Sequence, residues 1–117
     1  MKTLRQNLIG YLRSIPHATE DIKWETNLVF SIAAKMFAVL PIEDVHHKLI
    51  SFKCSETDFQ TLTQMDGIIP APYVGRYNWV ALSQDSPLTE SAIKELISKS
   101  YRLIFEKLPL KIRKKLN

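Results

Sequence analysis

Cysteine is nearly absent from this sequence. Cys54 stands alone, so no internal disulfide and no cysteine metal cluster can form. Glycine is scarce, with three in 117 residues. No phosphate-cradling glycine loop, nucleophile elbow or zinc signature occurs. No run of about 18 apolar residues exists, which excludes a membrane-spanning helix. The opening MKTLRQNLIGYL has no continuous apolar stretch, so no signal peptide is expected and cytoplasmic residence follows. Repeats and low-complexity runs are missing too. A chain of this length predicts one domain over residues 1–117 with a single hydrophobic core.

Acids are lacking in one region. Residues 91–117 contain only Glu95 and Glu106, against eight basic residues from Lys94 to Lys115. The whole chain is +4, so that segment is +6 and the remainder −2. A positive end on a near-neutral body suits a polyanion such as nucleic acid. A solvated, solubilising helix face would carry the same charges.

Residues 3–14 predict a helix capped by Thr3, with Leu4, Leu8, Leu12 and Ile15 on one side and Pro16 as its stop. His17 to Glu25 predict a polar connection. TNLVFSI alternates as a strand, and KMFAVL after Ala33-Ala34 predicts its hairpin partner. KLISFKC predicts a third strand. Ser55 then caps a short helix through about Gln64. Pro70 and Pro72 exclude a central strand over 68–73. Arg76 to Leu82 predict a fourth strand. A long helix from about Leu88 to Leu108 follows, capped by Asp85 or Ser86, and LKIRKKL adds a last basic turn or short helix.

The expected fold class is α+β in two layers: an antiparallel sheet with helices packed on one face, in the order helix, three strands, helix, strand, long helix. Alternation places Leu28, Phe30, Ile32, Met36, Ala38, Ile50, Phe52, Cys54, Tyr77 and Trp79 toward the helices. Asn27, Ser31, Lys35, Ser51, Lys53, Arg76 and Asn78 then face the other way, with Val29, Phe37, Val39, Val80 and Leu82 beside them. A one-residue register error moves a strand's whole set across.

Four segments in this order resemble the YjbR family of small bacterial proteins, also called MmcQ. They are AKMFAVL at 34–40, FKCSETDF at 52–59, IIPAPYVGRYNWV at 68–80 and SKSYRLIFEKLPLKIRKKL at 98–116. The resemblance implies a frataxin-like or secretion-chaperone-like fold and, through a phage double-wing domain, DNA binding. No catalytic residues are established for the family, so none is carried over. Two departures stand out. Many relatives have Gly-Gly where Ala33-Ala34 stands, and alanine resists the positive φ of a tight turn. Many also have a histidine- and lysine-rich segment where PAPYVGRYNW keeps only Arg76 as a cation.

Other chemistry fares worse. Asp44, His46 and His47 are too few to hold a metal, and adjacent extended histidines diverge. Cys54 lies on the expected core face as a buried thiol. The frataxin-like resemblance implies iron delivery through an acidic ridge on the first helix and first strand, whereas this first helix carries Lys2, Arg5 and Arg13 with no acid before Glu20. A pI near 9.3 also counts against an acidic secretion chaperone. The expectation is a monomeric, non-enzymatic DNA binder without cofactor, catalytic residues or metal. Its phosphate contacts would come from Lys35, Lys53, Arg76, Lys111, Arg113, Lys114 and Lys115, with Tyr73 as the exposed stacking ring. Tyr77 and Trp79 are expected in the core. The alternative is a protein- or small-ligand-binding module using the partly apolar open sheet face.

Overall fold

The computed structural model describes residues 2–43 and 47–116. Helix α1 (Leu4–Ser14) is closed at its start by a reciprocal cap: Thr3 Oγ1 accepts the Gln6 N–H and the Gln6 side chain accepts the Thr3 N–H. Four strands follow: β1 (Thr19–Lys23), β2 (Asn27–Ile32), β3 (Lys35–Pro41) and β4 (Lys48–Lys53). Helix α2 (Glu56–Leu62) starts on Ser55, whose hydroxyl accepts the Asp58 N–H. Then come β5 (Ile68–Pro70), β6 (Trp79–Ser83), α3 (Glu90–Lys107) and α4 (Leu110–Leu116). The strands form one antiparallel sheet in the order β1-β2-β3-β4-β6-β5.

The fold is the expected α+β arrangement. Leu8 and Leu12 of α1, Leu62 of α2 and Ile93 and Ile97 of α3 share one core with Phe30, Phe52 and Val80 of the sheet. Leu116 of α4 packs against that same core. Among the described residues, no helix covers the other face of the sheet.

The sheet has two more strands than expected. β1 lies in the predicted polar connection, and most of its residues are exposed, so it shows no one-sided alternation. It is held by its ladder to β2, from Thr19 opposite Ser31 to Lys23 opposite Asn27. β5 has three residues and ends on Pro70, and it sits at the sheet edge, where a proline costs no ladder bond. The long helix starts later than expected, on Thr89, whose hydroxyl accepts the Ala92 N–H.

Two placements are reversed. β6 begins at Trp79, because Gly75–Tyr77 form a tight 3-10 turn and Asn78 takes a left-handed conformation. Val80 and Leu82 therefore enter the core, and Trp79 turns to the opposite face beside Lys53. The second reversal is in β3. Phe30 pairs with Ala38 but Ser31 pairs with Met36, so Phe37 is the extra residue of a bulge. The bulge sends Phe37 into the helix-side core, fully buried, and leaves Met36 on the other side. Ser100 of α3 is also fully buried there, and its hydroxyl donates to the Phe37 carbonyl over 3.0 Å.

The Ala33-Ala34 connection is a two-residue hairpin with both residues left-handed, at φ 49° and 66°. That is the type I′ geometry, which glycine meets at lower cost than alanine.

Candidate nucleic-acid interface

Antiparallel register brings the Ala33-Ala34 turn, the C-terminal end of β4 and the start of β6 to one end of the sheet. The Cys54 N–H donates to the Asn78 carbonyl over 2.8 Å, which ties the end of β4 to the 3-10 turn. Gly75 is required in that turn: a Cβ there would lie 2.9 Å from Pro70 Cβ. The turn holds Arg76 and Tyr77 outward. The Arg76 guanidinium lies 4.9 Å from the centroid of the Tyr77 ring, a cation–π contact. Lys53 Nζ donates to the Tyr77 carbonyl over 2.7 Å. The end of α3 puts the Lys107 charge within electrostatic reach of Lys53. Burial first, and then the Lys107 charge, hold the Lys53 ammonium below the ordinary lysine range.

This corner contains two residues that sequence reasoning misses. Tyr77, expected in the core, is 53% exposed. Its position follows from the 3-10 turn, which interrupts the alternation read across Arg76 to Leu82. Lys107 enters the sequence reading only through the basic segment's total charge. Its nearness to Lys53 depends on where a long helix ends, and no local pattern reports that.

The remaining candidates are placed as follows. Lys35 is exposed next to the hairpin turn, at the same sheet end as Lys53. Tyr73 is 97% exposed in a left-handed conformation, as a free surface ring. Lys111, Lys114 and Lys115 are exposed on α4, which starts three residues after Lys107. Their spacing of three and four residues puts them on one side of the helix. Arg113 differs from them: its side chain is half-buried, and its Nε is buried without a hydrogen-bond partner. Trp79 is 7% exposed and offers no ring for stacking.

The helix-free face carries a separate feature, a concavity of ≈ 590 Å³. Val39, Ser51, Ala81 and Ile69 line it as one continuous cross-strand row. Pro41 and Pro72 flank them, and Lys48 also borders the space. Arg76 is not among its lining residues.

The YjbR family model matches residues 13–103. The chain belongs to the YjbR family. The matched span runs from the end of α1 into α3 and contains the whole sheet. A Deinococcus radiodurans protein with a DUF419 domain has a similar crystal structure, with TM-score 0.82 and 23% identity over 99% of this chain and 91% of that one. A Pseudomonas syringae protein solved as a structural-genomics target gives TM-score 0.69 and 24% identity over 88% of this chain and 98% of that one. At these identities the likeness concerns the fold. No curated protein shows significant similarity to the chain.

Within this YjbR fold, Cys54 is buried beside Asn78. Burial, with Asp58 as the next cause, pushes its thiol up to about 11. At a pH of about 8 the group is almost wholly protonated, so the native protein should resist iodoacetamide for hours and react promptly once unfolded in urea. Rapid native labelling, followed by mass spectrometry, would contradict the buried placement. Among the described residues no three His, Cys, Asp or Glu side chains gather as a metal site would need. Asp44 and His46 lie outside the described residues, and His47 is exposed. Among the described residues no helix is long and apolar enough to cross a membrane.

Proposed function

We propose that the protein is a non-enzymatic, cytoplasmic bacterial DNA-binding protein that acts as a monomer and grips backbone phosphates. The observation that supports this is the placing of Lys53 on the carbonyl and Arg76 on the ring of exposed Tyr77, with the Lys107 charge within electrostatic reach of Lys53. The Lys107 charge opposes that of Lys53, and an anion that joins them offsets this. A phosphate beside Lys53 and Lys107 would relieve the repulsion that adds to burial in depressing the Lys53 ammonium. Lys111, Lys114 and Lys115 of α4 extend the positive surface, and Lys35 adds a further charge at the same sheet end. Tyr77 and Tyr73 offer ring faces to sugars or bases. These groups neutralise charge without reading base edges, so binding is expected to be sequence-tolerant.

Binding to a labelled duplex should weaken linearly in log Kd against log salt, with a slope of about 0.9 per neutralised phosphate. Combining Lys111→Ala, Lys114→Ala and Lys115→Ala should flatten that slope by about 0.9 for each phosphate that is no longer neutralised. Lys53→Ala with Arg76→Ala should flatten it further. No measurable binding at low salt would end this assignment.

A further inference from the structure

The phosphate corner touches the helix-free sheet face only at the Lys53 end, and the middle of that face has an unusual profile. Its middle strands present small side chains, Ser51 on β4 and Ala81 on β6. Their cross-strand neighbours are larger, Val39 on one side and Ile69 on the other. Short residues between tall ones make a trough, and its ≈ 590 Å³ lies within the range of about 300–1,000 Å³ usual for small-ligand sites. From β3 to β5 the row crosses three strand spacings, or roughly 14 Å.

The lining along this row is apolar apart from the Ser51 hydroxyl, and Ile69 is left 57% exposed to water. Charge enters on one side only. Lys48 borders the trough with Ser83 opposite it on β6, and among the described residues no carboxylate lines the space. An apolar floor with Lys48 at its edge, next to His47, and with no other lysine or arginine lining it among the described residues, matches a ligand with an apolar chain and one negative head.

We propose that this trough binds an amphipathic monoanion, a medium-chain carboxylate whose chain covers the Val39–Ser51–Ala81–Ile69 row and whose head pairs with Lys48. The chain removes apolar surface from water, chiefly at Ile69 and Val39. The head forms a charge-assisted hydrogen bond with the lysine. This site is separate from the phosphate corner and does not depend on it.

The test uses the full chain, with decanoate and decanol as probes in calorimetry and in displacement of the fluorescent anion ANS. Decanoate should bind saturably at one site per chain and displace ANS. Decanol, which lacks the charge, should bind about tenfold or more weakly. Lys48→Glu should weaken decanoate by about tenfold or more and leave decanol unchanged. Ser51→Trp and, separately, Ala81→Trp should fill the trough and remove both ligands, with circular dichroism confirming that each variant is folded. Combined Lys111→Ala, Lys114→Ala and Lys115→Ala should leave decanoate binding intact, so this site and the DNA surface can fail independently. Absence of saturable decanoate binding would overturn the proposal, as would binding that survives both tryptophan variants in folded protein. A wild-type dimer in sedimentation that Ser51→Trp dissociates would overturn it in favour of a second copy of the chain.

Discussion

Phe37→Ala is expected to destabilise the fold by about 3–5 kcal/mol, the usual range for emptying a buried phenylalanine site. Phe37 is fully buried, and its ring meets Tyr101 edge-on at 5.7 Å between centroids. Tyr101 in turn stacks with Phe105 at 6.0 Å, so the side chain supports one face of α3. The surroundings cannot easily close over a cavity here. The bulge is held by its ladder to β2 and by the Ser100 hydroxyl on the Phe37 carbonyl. Urea unfolding should show a lower midpoint with an unchanged m-value. A loss below about 1 kcal/mol would mean that the ring is not a core residue, because exposed positions respond on that scale.

Combining Ala33→Asn with Ala34→Gly is expected to stabilise the protein by about 1–2 kcal/mol and to raise Tm by roughly 5 °C or more. Both alanines are left-handed in the structure, and this conformation costs a residue with a Cβ roughly 1–2 kcal/mol. Asparagine tolerates it and glycine has no Cβ to clash. The greater freedom of glycine in the unfolded chain returns about 0.5–1 kcal/mol of the gain. Thermal unfolding of the double variant checks the sign. A decrease in Tm would show that the turn is not type I′.

The parts of the fold that are legible in the sequence are those with local causes. Thr3 and Ser55 cap helices because a side-chain oxygen can reach an N–H three residues on. Leu28, Phe30 and Ile32 share a face because a strand alternates. Pro16 and Pro109 mark breaks because their rings forbid helix continuation. The candidate site is legible only as charge. Lys35, Lys53 and Arg76 stand out as cations in the sequence and do lie at one end of the sheet, but nothing local marks Tyr77 and Lys107 as belonging with them.

Every misplacement turns on a pairing or a break with no local signature. TEDIK lacks alternation because both faces of an edge strand meet solvent, and its ladder to β2 alone makes it a strand. RYNWVAL alternates equally well in either register. The tie from Cys54 to Asn78, with the left-handed turn at Asn78, sets Val80 inward and Trp79 outward. One inserted residue in β3 does the same for Phe37.

The amino-acid order alone thus settled where the first two helices begin, that three central segments extend, and that residues 110–116 are cationic. Those properties depend on neighbours a few residues apart. Which face each strand shows, which rings stay in water and which lysines stand together were decided by the folded sheet. Register, bulges and the endpoint of α3 are set by contacts between residues tens of positions apart.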